Sequence, residues 1–579
     1  MKIDSNKALL SFEFATSEGE VQPITFTNPL KIIVAHTIDE IHPSFQLIQE
    51  AVEQGYYAAG YVSYESAPAF DKAFRVNQKP NMPLLWFGIF SEPVHQSLDT
   101  QGHYTNSKWT PNISREQYDS AIASIRTLIE DGDTYQTNYT IRLDSHFDGD
   151  DIAFFNKLKH AQSSNYCAYI NTGEFSILSA SPELFFHLKD RQITTRPMKG
   201  TIARGKTAAE DKENAKWLYE STKNRAENVM IVDLLRNDLS MIAEQGSVQV
   251  PRLFEIEHYP TVHQMTSTIT ANVKPNTTFF DLFKALFPCG SITGAPKIST
   301  MEIISQLETT ARDVYCGAIG YISPTQEAIF NVPIRTVVIN QKTGSATYGV
   351  GGGITWDSTA SGEYEEVLTK ASLLDQEKPS FDILESMLLT DGEIYLLEEH
   401  LNRLENSSNF FGFSFNRHEV ENKLDSFTNK YPEGNFKIRL LMAQSGQITI
   451  ESQPIIVPAD HKVVKLAKSP ISRKNVYYYH KTTHRDVYNR FMQAEVFDVL
   501  LWNEDEELTE FTNGNVVVEI DGTLYTPPVH CGLLGGTFRE HLLKEKTIQE
   551  KVITLSDLAR CSKIWFINSI RRWVKVELI

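Results

Sequence analysis

The sequence predicts an α+β fold for a large first domain, followed by a smaller second domain. Three observations predict it. Strand-like and helix-like segments are mixed without a regular βαβ alternation. A polar, proline-containing stretch, Asp375-Gln-Glu-Lys-Pro-Ser380, follows a helical pattern ending in Leu373-Leu374. New strand signals start at Phe381. In chain order, Arg191-Gln-Ile-Thr-Thr195 alternates as a strand, and Arg225 to Leu239 repeats at helical period. Ala346-Thr-Tyr-Gly-Val350 again reads as a strand, and Glu363 to Leu374 as a helix. Beyond the break, Thr390-Asp391-Gly392-Glu393 lies between apolar runs and reads as a hairpin turn. The expected division is a first domain over 1–375, a linker over 376–380 and a second domain over 381–579.

Composition narrows the function classes. The chain has 579 residues, 41% hydrophobic and 22% charged, with 30 Gly and 24 Pro, which excludes collagen-like and disordered readings. The formal charge of −18 argues against nucleic acid as a partner. No apolar run approaches the length of a bilayer span, and Met1 to Leu10 lacks the apolar core of a signal peptide. Cys167, Cys289, Cys316, Cys531 and Cys561 are scattered without CxxC spacing, which fits a reducing compartment better than a disulfide framework or a zinc site. A cytoplasmic enzyme is expected.

Four segments of the first domain carry chemistry. Ser181-Pro-Glu-Leu-Phe185 precedes Arg196-Pro-Met-Lys-Gly-Thr-Ile-Ala-Arg-Gly205, where Lys199-Gly200, expected at the end of a strand, puts an amine beside backbone that a ligand can approach. Such a lysine is a nucleophile only if desolvation or a neighbouring cation lowers its pKa; a solvated turn lysine is the alternative. On the helix from Arg225, Glu227 shares a face with Met230, Ile231, Leu234 and Leu235. A carboxylate on an apolar stripe needs a cationic partner, unless it is a half-exposed first-turn residue. Glu363, Glu366 and Lys370 line one helix face at i, i+3, i+7. Few oxygen ligands with room for water suit Mg²⁺, and a solvated charged face is the plain reading. Glycine-dense Tyr348-Gly-Val-Gly-Gly-Gly-Ile354 lies just upstream. Finally, Cys289-Gly-Ser-Ile-Thr-Gly-Ala-Pro-Lys297 leads into a helix from about Ile298, an arrangement suited to an anion, with Arg335 as a clamp or an ordinary strand-flanking ion pair.

These segments, in this order, resemble the chorismate-utilising enzyme family over most of residues 1–375. The resemblance implies a domain of β-sheets flanked by helices that binds chorismate. It further implies Mg²⁺ held by Glu227 and Glu366 with Glu363 nearby, taking the ring carboxylate. Arg335, Tyr348 and the Thr293-Gly294 backbone would hold the enolpyruvyl carboxylate, with Lys370 and His263 also placed at the substrate. Lys199 in Pro197-Met-Lys-Gly-Thr201 is similar to members that aminate C4; anthranilate-forming members usually have Ala there. Glu183 would protonate the departing C4 hydroxyl while Lys199 bonds to C2. No Gly-x-Cys-x-Gly nucleophile elbow is present, so nitrogen is expected as ammonia or from a separate glutamine amidotransferase.

The second domain has its own ordered series: His400-Leu-Asn-Arg-Leu404, Tyr479-His-Lys-Thr-Thr-His-Arg485, Leu508-Thr-Glu-Phe511 and Thr526 to Arg539. Gly535-Gly-Thr537 before a helical run could grip a phosphate, with Arg403 neutralising it. Lys481 is a candidate Schiff-base amine and Glu510 a candidate partner for a pyridine nitrogen. Singly, each is also an ordinary loop, surface or strand-end residue. Together they resemble class IV pyridoxal-phosphate enzymes over about 381–579, which implies a smaller α/β domain binding pyridoxal 5′-phosphate through Lys481, Glu510, Arg403, Gly536 and Thr537. Gly535 stands where that family often has Pro. The set is most similar to members that eliminate pyruvate from aminodeoxychorismate to give 4-aminobenzoate, a folate precursor. Other expectations compatible with the residues are anthranilate- or isochorismate-type chemistry joined to a class IV aminotransferase, and a noncatalytic scaffold for a glutaminase.

Overall fold

The strand Gln136–Gly149 is buried over its first eight residues without alternation, and such a strand needs a layer on each face. The structure, a computed structural model, supplies them. It describes residues 8–16, 21–162, 164–259, 262–375, 379–455 and 462–579. Residues 376–378 of the expected linker lie outside the described residues. The chain divides into two compact units, one from Met1–Ala203 with Lys216–Lys378, the other from Arg204–Ala215 with Pro379–Ile579.

The first unit contains two antiparallel sheets, each of ten strands among the described residues. One runs Gly294–Ala295, Gln136–Gly149, Ser345–Ile354, Thr336–Asn340, Phe175–Ser181, Tyr166–Asn171, Leu9–Ala15, Val21–Thr27. The other places Met198–Ala203 beside Val262–Asn272, followed by Gln192–Arg196, Leu184–Lys189 and Ala328–Asn331. Phe12, Phe26 and Ile177 of the first sheet meet Tyr61, Trp86 and Ile319 of the second in a shared core. Helices cover the outer faces. Arg115–Glu130 and Ala360–Ala371 pack on the first sheet through Tyr118, Ile122 and Val367. Ile38–Glu53, Thr222–Ser240 and Phe279–Leu286 pack on the second. Local sequence explains these helices. Ile41, Phe45, Ile48 and Val52 recur on one buried face, and Thr37 with Glu40 forms a capping box at its start. Helices segregated to the faces of antiparallel sheets make this unit α+β.

The second unit pairs a four-stranded antiparallel sheet with a mixed sheet. In the former, Ile383–Thr390 turns through Asp391 and Gly392, both at positive φ, into Glu393–Ile394, the turn geometry expected of Asp-Gly. Helices Leu397–Phe411 and Arg417–Thr428 cover one face of this sheet. In the mixed sheet, Leu508–Phe511, Asp498–Trp502, Val463–Leu466, Arg572–Leu578, Cys561–Asn568 and Gly514–Ile520 follow one another, and the last pairs back to the first, closing a ring.

Candidate functional sites

Lys199 lies within the strand Met198–Ala203 rather than at a strand end. The register against Val262–Asn272 slips between Met198 and Thr201, and Gly200 adopts φ +97°. This irregularity turns the Lys199 side chain out of the sheet's regular alternation. The loop is held in place by the neighbouring helix: the Asn228 amide donates to the Lys199 carbonyl at 3.4 Å and accepts from Ser267 Oγ at 2.6 Å. A Cβ at Gly353 would stand 2.8 Å from Lys199 Nζ and 2.5 Å from Gln136 Nε2, so a larger residue would push the ends of these two side chains aside. Burial pushes the Lys199 amine below its ordinary range and the Lys370 charge adds to this, while Glu227, Glu183 and Glu366 oppose.

Glu183 is buried and accepts from the Ser291 hydroxyl. Burial pushes its carboxyl up to about 7 against that bond and the Lys199 charge. It is therefore poised to carry a proton near neutrality. Burial raises the Tyr348 phenol against the nearby Arg335 guanidinium, to which it is also hydrogen-bonded. The Tyr348 hydroxyl donates to the Lys370 carbonyl at 3.2 Å. Lys370 Nζ is 2.5 Å from Glu366 and donates to the Gly351 carbonyl at 2.8 Å. Burial disfavours the Glu366 charge, yet Lys370 holds its carboxyl below the usual range. The structure thus brings Lys199, Glu183, Lys370 and Glu366 into one electrostatic neighbourhood, with Arg335 acting on Glu366 as well.

Thr293 and Gly294 approach the same strand edge. Thr293 is buried, its carbonyl accepts from the Asn138 amide at 2.8 Å, and Gly294 pairs with Thr137. At Gly294 a Cβ would fall 2.0 Å from the Gln136 carbonyl. Lys297, at the end of this loop, is committed to Asp238 at 2.8 Å. A buried cation network underlies the loop: Glu308 pairs with Arg312 at 2.6 Å and Arg142 at 3.3 Å. Arg312 also donates to the carbonyls of Ile292 and Asn138. His263 is fully buried, faces Ile202 across the strands, and its Nδ1 lies 2.7 Å from that of His258.

Of the three carboxylates expected to hold Mg²⁺, Glu363 and Glu366 converge on Gly352, where a Cβ would stand 3.2 and 3.3 Å from them. Glu227 comes from a separate helix, half-buried, and acts on Lys199. No group of three metal-ligating acidic, His or Cys side chains is assembled among the described residues. Two carboxylates suit a hard cation that keeps waters and shares a substrate oxygen. Gln136 was not anticipated as a site residue. Both atoms of its amide are buried and without a hydrogen-bond partner among the described residues. Nothing local in its segment, Gly132-Asp-Thr-Tyr-Gln-Thr-Asn138, marks the glutamine.

In the second unit, a cavity of about 550 Å³ is lined by Arg403, Lys481, Glu510, Gly536 and Thr537. Burial, with Arg403 and Arg485 nearby, lowers the Lys481 amine to about 7. Glu510 is buried, accepts from the Tyr488 hydroxyl at 2.7 Å and the Asn515 amide at 3.3 Å, and is pushed by burial up to about 8. Glu385 sits between His400, at 2.7 Å, and Arg403, at 2.6 Å. Burial opposes its charge, but Arg403 holds the Glu385 carboxyl down at about 2. The same Arg403 donates to the Gly535 carbonyl at 3.2 Å, and Thr537 lies 3.3 Å from His400 Nε2. Gly536 caps the helix Thr537–Lys544 where a Cβ would fall 1.9 Å from Asn515 Oδ1. A lowered amine, a buried acid and a glycine-tight helix N-terminus beside an arginine fit the reactive carbon, ring nitrogen and phosphate of pyridoxal 5′-phosphate. No helix among the described residues is long and apolar enough to cross a membrane.

The first unit's α/β/β/α layering and this lysine-bearing cleft define the class. The chain belongs to the chorismate binding enzyme family, which matches residues 94–375, and residues 382–579 match amino-transferase class IV. It is 40% identical over 293 residues to aminodeoxychorismate synthase component 1 of Klebsiella aerogenes, spanning 51% of this chain and 63% of that one. The chain therefore covers less than two thirds of that relative's length. It is 34% identical over 339 residues to anthranilate synthase component 1 of Methanothermobacter thermautotrophicus, spanning 54% of this chain and 72% of that protein. Among solved structures, anthranilate synthase component I from Streptococcus pneumoniae matches with a TM-score of 0.51 at 25% identity, over 65% of this chain and 93% of that one.

Proposed function

We propose that the chain makes 4-aminobenzoate for folate synthesis at two sites, first as an aminodeoxychorismate synthase and then as an aminodeoxychorismate lyase. The observation that carries the reading is the Lys199 amine, lowered by burial and seated against Gly353 within the field of buried Glu183. Arg335, Tyr348 and the Thr293-Gly294 backbone orient the enolpyruvyl carboxylate of chorismate, and Lys370 and His263 bound the ring. Glu363 and Glu366, with Glu227, would hold Mg²⁺, which supplies positive charge for the ring carboxylate. Glu183 gives its proton to the C4 hydroxyl, which leaves as water, while Lys199 bonds to C2 and the ring double bonds shift. Ammonia adds at C4, the C2–nitrogen bond breaks, and 4-amino-4-deoxychorismate results. The ammonia comes from a separate glutamine amidotransferase, in the cytoplasm.

At the second site Lys481 would hold pyridoxal 5′-phosphate, Glu510 its pyridine nitrogen, and Arg403, Gly536 and Thr537 its phosphate. When bound, the cofactor supplies an electron sink for the amine-bearing carbon. Lys481 moves the proton from that carbon, pyruvate departs, and the ring becomes aromatic. The similarity to anthranilate synthase component 1 supports a second reading, amination at C2. Incubation with chorismate, Mg²⁺ and an ammonium salt separates the two. Aminodeoxychorismate should accumulate without the cofactor and 4-aminobenzoate with it; anthranilate would overturn the assignment of Lys199.

A further inference from the structure

The strand Asn435–Met442 turns Ile438, Leu440 and Met442 into the apolar core beneath the helices Leu397–Phe411 and Arg417–Thr428. Period-two alternation sends Lys437 and Arg439 to the opposite face, where they line the same cavity as Lys481. Arg485 and Arg571, from two other segments, line it too. These charges feel one another: burial, then Arg439, Arg571 and Arg485, lower the Lys437 amine. None of the four makes an ion pair among the described residues.

The cavity's acids are already engaged. Asp498 accepts from the Thr512 hydroxyl and amide and from the Asn513 amide. Glu510 is taken by Tyr488 and Asn515, and Arg403 by Glu385. Arg439 has Glu451 facing it across the sheet, so it is the least exposed to a ligand's charge. Arg485 is fixed in place, donating to the Thr512 carbonyl at 2.5 Å with its guanidinium 4.2 Å above the Tyr488 ring. Arg571 lies 5.2 Å over Phe497. Like charges gathered in a partly desolvated cleft repel one another unless an anion joins them. One amino-acid carboxylate needs a single such group. We infer that Lys437, Arg485 and Arg571 make the second site selective for an amino substrate bearing two carboxylates over one bearing a single carboxylate. This inference rests on the proposed second-site reading and adds its specificity determinants.

The test uses the full chain loaded with pyridoxal phosphate and two unreactive probes, isophthalate and benzoate, followed through the bound cofactor's fluorescence. The unaltered protein should bind isophthalate at least about tenfold more tightly than benzoate. Lys437→Gln and Arg571→Gln should each bring that ratio towards one while the cofactor's absorbance spectrum is retained. Arg571 is exposed, so its replacement leaves packing intact. Equal binding of the two probes by the unaltered protein, or an undiminished preference in both variants, overturns the inference. If the isophthalate preference holds but aminodeoxychorismate yields no pyruvate, the activity reading fails while the selection for two carboxylates stands.

Discussion

At the scale of single residues, two positions make the first site's chemistry testable. In the proposed reaction Glu183 can donate a proton only while protonated, and burial raises its carboxyl to about 7. Its acid form is lost as pH rises through that value, so the rate of C4 amination should fall on the alkaline side. In Glu183→Gln the rate should drop by about a hundredfold or more, and the fall near pH 7 should vanish from the profile. Gly353→Ala places a methyl group against the ends of two flexible side chains. Thermal unfolding should therefore shift little, while amination falls by about a hundredfold because the Lys199 amine is displaced. That Lys199, Glu183, Glu366 and Lys370 share one neighbourhood was legible in the sequence, because their segments are long and ordered. Gln136 was not, since its burial beside Lys199 depends on Gly294 pairing with Thr137, which no local pattern encodes. Lys437, Arg485 and Arg571 share a cavity but lie in separate stretches of chain, each an ordinary surface cation when read alone.

At the scale of elements, the loop before the helix Lys297–Leu307 is held by charge as much as by backbone. Glu308 ends that helix and neutralises Arg312 and Arg142, both buried. Glu308→Gln would leave two buried guanidinium groups without a counter-charge, so a loss of about 3–5 kcal/mol in unfolding free energy is expected, measured by urea titration. Because Arg312 also holds the Ile292 and Asn138 carbonyls, chorismate turnover should fall with stability. The element boundaries themselves were readable where periodicity was strong. The expected helix from Arg225 to Leu239 lies inside Thr222–Ser240, and the Asp-Gly turn is present at Asp391 and Gly392. The slip in register at Lys199 was not readable, because a bulge depends on the partner strand as well as on its own residues.

For the whole molecule, the two-site proposal predicts separable losses. Lys199→Ala should abolish formation of aminodeoxychorismate and leave the cofactor's absorbance intact. Lys481→Ala should remove that absorbance and let aminodeoxychorismate build up, as product analysis by chromatography would show. Either substitution silencing both half-reactions in folded protein would contradict two independent centres. One feature of the second unit bears on how such proteins are handled. The ring of strands closes where Leu508–Phe511 meets Gly514–Ile520, and the facing pairs at that seam are Glu510 with Asn515 and Phe511 with Gly514. The acid assigned to the vitamin's nitrogen is thus also a stitch in the barrel wall. In the proposed cofactor-loaded protein, loss of the cofactor's absorbance on heating should therefore accompany opening of the wall, and that absorbance could rank preparations for integrity before any assay is run.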